Sequence, residues 1–89
     1  MPAPDTSHDP ALLALQALAW TLAEPARAAR LLDVTGLTPA ELKVSASDPA
    51  TLSAVFGFLE NHEPDLVACA AGLGVRPEAL VAAHRSLDA

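Results

Sequence analysis

Leucine, alanine and valine recur along the chain at helical spacing and never alternate over a run useful to a strand. After Pro49, Leu52, Val55, Phe56 and Leu59 fall at i, i+3, i+4 and i+7, one stripe of a helix. Leu66, Val67 and Ala70 continue that stripe after Pro64. Leu80, Ala83 and Leu87 make a narrower one after Pro77, with Glu78, Arg85 and Asp88 elsewhere. These are expected core positions. The segment after Pro10 differs, because Leu12, Leu15, Ala19 and Leu22 form one stripe and Leu13, Ala17 and Trp20 a second, with only Gln16 and Thr21 as polar relief. A helix apolar nearly all round must be covered. Either it lies at the centre of the fold, or Leu13 and Trp20 face outward as the anchor of a homodimer or partner interface, tryptophan being a frequent hot-spot residue. Phe58, about 100° from the stripe of its own helix, carries the same ambiguity. Leu13, Trp20 and Phe58 are therefore the candidate interaction surface.

Prolines set the starts of these segments. Of the 8 prolines, Pro10, Pro25, Pro39, Pro49, Pro64 and Pro77 each precede a run rich in alanine and leucine. Proline suits the first helical position, where its missing N–H is no loss and its fixed φ is already helical. Asp9, Glu24, Thr38, Asp48 and Glu63 stand just before five of them, where Asp and Thr cap free N–H groups and Glu complements the dipole. Thr38-Pro39-Ala40-Glu41 reads as a capping box. Gly36, Gly72 and Gly74 are the candidate stops. The result is an all-α chain of six short helices at about 10–23, 25–35, 39–46, 49–62, 64–72 and 77–87. Residues 1–9 read as a flexible tail and 10–89 as a single helical domain. Links this short force sharp turns, which predicts an orthogonal array and not an up-and-down bundle.

Composition agrees, with 52% hydrophobic but only 3% aromatic residues among 89. A chain this short builds one small core with a thin margin, which a second copy or a partner could complete. The formal charge of −6 repels phosphate backbones and anionic membrane surfaces. A single cysteine, Cys69, makes no internal disulfide, which fits the cytoplasm. The apolar run from Ala11 to Trp20 follows Asp5 and Asp9 with no Lys or Arg, the wrong flank for a secretion signal. Closed by Glu24 and Pro25, the run is also too short to span a bilayer.

Chemistry is sparse. Glu60-Asn61-His62-Glu63-Pro64-Asp65 gathers potential ligands but has no metal-binding spacing, and Pro64 marks it as a helix junction. Ser7, Ser45, Ser47, Ser53 and Ser86 sit in no nucleophile elbow. Cys69, in an alanine-rich segment, reads as a small buried hydrophobe, and His84, beside Arg85, as a partly exposed surface residue. The four glycines make neither a phosphate loop nor a dinucleotide fingerprint. Residues 64–87 resemble a helix-turn-helix, with Ala70, Gly74, Val75 and Leu80 at suitable spacing. The exposed face of the second helix, however, offers Glu78, Val81, Ala82 and Arg85, not the Arg, Lys, Asn or Gln of a base reader. Nucleic-acid binding there would need Arg27, Arg30, Arg76 and Arg85 to converge on one face.

The Thr35-Gly36-Leu37 stop followed by Pro39 and Leu42, the Asp48-Pro49 start with Leu52 and Val55, and Glu63 followed by Leu66 resemble a small bacterial family known as a domain of unknown function. The resemblance spans residues 11–87 and departs at Leu32, Thr51 and Cys69, where that pattern favours phenylalanine. It implies an all-helical, single-domain cytoplasmic protein and transfers no activity, cofactor or site. The sequence thus predicts a non-enzymatic helical interaction module, without cofactor or metal, that self-associates or binds a protein partner. An atypical nucleic-acid binder using the corner at 64–87 is the alternative.

Overall fold

Proline and its preceding cap start the helices of the computed structural model, which describes residues 9–89. They run α1 (Pro10–Leu22), α2 (Pro25–Thr35), α3 (Pro39–Val44), α4 (Pro49–Glu60), α5 (Glu63–Leu73) and α6 (Pro77–Asp88), with no strand among the described residues. Of the expected tail, Asp9 is ordered and caps α1; the rest lies outside the described residues.

Four starts carry side-chain caps. Asp9 accepts from the Ala11 and Leu12 amides at 3.0 and 3.2 Å, Glu24 from Ala26 and Arg27 at 3.1 and 3.0 Å, and Asp48 from Ala50 at 3.0 Å. At α3 the capping box closes both ways: Glu41 N–H donates to Thr38 Oγ1 at 3.1 Å and Thr38 N–H to Glu41 Oε1 at 2.9 Å. The fifth helix starts one residue earlier than expected, with Glu63 and Asp65 inside its first turn and an uncapped His62 before it. Dipole complementarity alone supports that start.

Gly36 and Gly74 stop α2 and α5 with φ of 73° at each, the left-handed region that favours glycine. Around Gly74 the Val75 amide donates to Ala70 O at 2.9 Å and the Gly74 amide to Ala71 O at 3.2 Å, a Schellman motif. Gly72 is not a stop but a helical residue within α5. A Cβ there would lie 3.1 Å from both Cδ1 and Nε1 of Trp20, so the bare glycine makes room for the indole.

Helices α1, α4 and α6 pack on one another and α5 joins all three, while α2 lies against α1 and α4. Helix α3 makes no extensive contact with any other helix. It is held by buried Leu42, with Leu37 and Ala46 packed against the core on either side. The expected α4 stripe of Leu52, Val55, Phe56 and Leu59 is buried, as are Leu80 and Ala83 of α6. Val67 departs from expectation, being 49% exposed, because α5 turns Cys69 and Ala70 inward instead. Thr21, the one buried polar residue of α1, donates its hydroxyl to Ala17 O at 2.9 Å and so enters the core satisfied.

Candidate functional site

Two of the three candidate surface residues belong to the core, a correction to the sequence reading: Leu13 is 1% and Phe58 5% exposed. Leu13 is buried because α1 lies on α4 and α6 through Leu13, Ala14, Ala17, Leu18 and Thr21, whose alanines allow close approach. Phe58 is buried because α2 covers the flank of α4 that carries it, and the Arg30 guanidinium lies 5.5 Å from its ring centroid. Trp20 is half-buried and engaged within the chain. The Arg27 guanidinium stacks 3.6 Å above its ring and donates from Nη2 to Trp20 O at 2.7 Å, while Gly72 closes on the indole from α5. Trp20 is a staple joining α1, α2 and α5.

The outward face of α1 is the stripe that the sequence set beside Leu13 and Trp20. Leu12, Leu15 and Leu22 are 37, 40 and 42% exposed, and Ala19 between them is exposed too. No charge interrupts this face from Pro10 to Ala23. At its C-terminal end an apolar groove of about 500 Å³ opens between α1, α2 and α3, lined by Leu18, Leu22, Leu32, Leu42 and Ala46, with Lys43 as its charged member. Leu22 belongs to both stripe and groove. The groove follows from the slight packing of α3, which is anchored by one buried leucine and leaves a gap beside α1 and α2. Nothing in the helical pattern betrays that.

A second constellation escaped the sequence reading. His84 of α6 faces Glu60 Oε2 from Nδ1 at 2.8 Å, and from Nε2 it faces Ser53 Oγ at 2.9 Å and Asp88 Oδ2 at 3.2 Å. Ser53 Oγ–H donates to Asp88 Oδ1 at 2.7 Å, and the imidazole lies 5.9 Å from the Phe56 ring. Ser53 and Glu60 stand two turns apart on α4, and His84 and Asp88 one turn apart on α6. Only the packing of those two helices brings them together. Serine, histidine and glutamate stand in the order of a hydrolytic triad, but Asp88 also accepts from the Ser53 hydroxyl and competes with the imidazole for it. Ser53 lies inside a helix whose amides are already hydrogen-bonded, and the Asp88 carboxylate stands beside it, so an oxyanion there would meet negative charge. These contacts between Ser53 and Glu60 of α4 and His84 and Asp88 of α6 make the cluster an interhelical clasp.

Cys69 is fully buried, and burial pushes its thiol up to about 11, away from thiolate chemistry. Among the described residues no three His, Cys, Asp or Glu side chains converge to hold a metal ion. Helices α5 and α6 meet at 98°, the angle of a helix-turn-helix. Yet Arg27 is committed to Trp20, and Arg30 to Asp65 at 2.7 Å, so neither joins Arg76 and Arg85 on a free basic face.

Among the described residues, six short helices make a small all-α fold that carries an uncharged leucine stripe and an apolar groove beside it. The chain belongs to the family described as Protein of unknown function (DUF3572), whose profile matches residues 7–89. No curated protein and no solved structure matches it. No single described helix is long and apolar enough to cross a membrane.

Proposed function

We propose that this protein is a non-enzymatic helical interaction module, acting in the cytoplasm, that docks protein surfaces through the outward face of α1 and the groove at its end. The observation that carries this reading is the exposed series Leu12, Leu15 and Leu22 on a charge-free helix face that runs into an apolar groove. Helix-in-groove docking uses apolar anchors repeated along one helix face, as Leu12, Leu15 and Leu22 are here. The buried Cys69 thiol suits a reducing compartment.

The test is a tagged pull-down from the native host, with any partner purified and the complex rebuilt, run beside Leu15→Asp and Leu22→Asp. Circular dichroism must first give the wild-type helical signal for each variant, and Val67→Asp on α5 serves as a control exposed residue. A rebuilt complex that Val67→Asp keeps and the α1 variants lose by at least about tenfold supports the reading. A complex that survives both α1 variants overturns it. Recovery of nucleic acid alone, untouched by them, moves the function to the corner between α5 and α6.

A further inference from the structure

The exposed positions of α1 are symmetric along the helix. Leu12 and Leu22 stand equally far from residue 17, and so do Leu15 and Ala19. Two copies of α1 packed antiparallel about a dyad at that level set Leu12 of each against Leu22 of the other, and Leu15 against Ala19. A leucine opposite an alanine next to the dyad lets the backbones approach, and each residue pair occurs twice, as an isologous interface requires. Because Leu22 is the lip of the groove, the partner copy's Leu12 arrives at its mouth.

Charge agrees with this arrangement. Lys43 is the charged residue lining the groove, and Asp9 stands one turn before Leu12 at the start of α1. In the antiparallel pair the second copy's Asp9 lies about one turn past Leu22, toward the groove that Lys43 lines. Asp9 caps its own helix through Oδ1, which leaves Oδ2 for this contact. Between those ends each α1 is uncharged, so two chains of net charge −6 meet along faces that do not repel.

The area sets the strength. Three leucines about two-fifths exposed leave on the order of 200 Å² per copy, well short of the ~800 Å² per partner of a stable complex. The groove rim on α2 and α3 adds to it, and the sum belongs to the weak, exchanging class of interface.

We infer that the occupant of the α1 face is a second copy of this chain, paired antiparallel through Leu12, Leu15, Ala19 and Leu22 with Leu12 at the partner's groove. The inference rests on the interaction-module reading and names its partner. Sedimentation equilibrium on the wild type should give a monomer–dimer equilibrium in the range of about 10 μM to 1 mM. Leu15→Asp should abolish it, and Lys43→Glu should weaken it about two- to fivefold. Geometry is read by disulfide trapping with single variants, Cys69 being buried and out of reach. A mixture of Leu12→Cys and Leu22→Cys should cross-link between the two species. Neither variant should do so alone, because like positions lie ~15 Å apart along the axis, at 1.5 Å per residue, beyond the ~7 Å span of a disulfide.

Cross-links within each single variant, in place of the mixed one, would overturn the antiparallel pairing. A wild type that stays monomeric to about 1 mM would overturn self-pairing and leave the docking face to its rebuilt-complex test. A dimer that Leu15→Asp does not disturb would overturn this pairing and count against the face itself.

Discussion

At the scale of single residues, the indole of Trp20 is held at two points, by the Arg27 guanidinium stacked on its ring and by the bare backbone of Gly72 against its Cδ1–Nε1 edge. Alanine is the better helix former by about 1 kcal/mol, so Gly72→Ala would stabilise α5 if the new methyl met open space. It would meet the indole at 3.1 Å, tighter than ordinary van der Waals contact, and Arg27, stacked on the ring and bonded to Trp20 O, holds the indole in place. Overpacking typically costs 1 to 3 kcal/mol, so the net effect expected for Gly72→Ala is a loss of about 1 kcal/mol in urea unfolding. Trp20→Ala, which empties a half-buried site, should cost about 2 kcal/mol. In that background the sign of Gly72→Ala should reverse to a gain of about 1 kcal/mol, since only helix propensity remains. A double-mutant cycle with no reversal would mean that the indole does not rest on Gly72.

At the scale of elements, the helices are written locally, and their caps carry a pH dependence. Glu24 is held below its ordinary carboxyl range by the Ala26 and Arg27 amides, and Glu41 by the Thr38 amide and then its hydroxyl. Both bind protons more weakly folded than unfolded, so their contribution is whole above about pH 4.5 and is lost as pH falls through the lowered values. Melting temperatures measured from about pH 5 down to about pH 3 should therefore fall for the wild type and fall less steeply for a Glu24→Gln/Glu41→Gln variant. Glutamine removes the titration while its one amide oxygen keeps a single acceptor at each cap, so equal slopes would show that ionisation of the caps plays no part. These starts were legible in the sequence because proline, its preceding cap and the left-handed glycine act within a few residues of themselves. The buried face of α1 was not. With leucine and alanine on every side and no charge between Asp9 and Glu24, helical spacing offers two equivalent stripes, and the choice between them is made by α4 and α6. Phe58 was misread for a related reason, since what covers it is a helix in another part of the chain. The clasp of Ser53, Glu60, His84 and Asp88 lay equally far from sequence view, its two halves being ordinary polar residues until α4 meets α6.

At the scale of the whole molecule, stability is unevenly spread, and the uneven part borders the proposed docking face. The group formed by α1, α4, α5 and α6 shares one core, the His84 clasp ties the end of α6 to α4, and Arg27 and Arg30 fasten α2 to Trp20 and Asp65. Helix α3 has only Leu42 fully inserted, and burying one leucine is worth roughly 1.5 to 3 kcal/mol before ordering costs are counted. A domain of this length has a global stability of roughly 4 to 13 kcal/mol, so α3 should open on its own while the rest stays folded. Amide hydrogen exchange followed by NMR should find the bonded amides of Leu42 and Ser45 exchanging through an opening of about 2 kcal/mol or less, with little dependence on denaturant. Amides of α1 and α4 at Leu18 and Leu59 should wait for global unfolding. Equal protection in α3 and α4 would show that the groove is a rigid part of the core. If α3 does open locally, the groove it forms with α1 and α2 is adjustable, and an occupant that packs on Leu42 must slow the exchange of α3 before that of any other helix. That ordering ties the least stable element of the fold to the surface proposed to bind, and it can be followed in the same spectra as concentration drives the chain into its dimer.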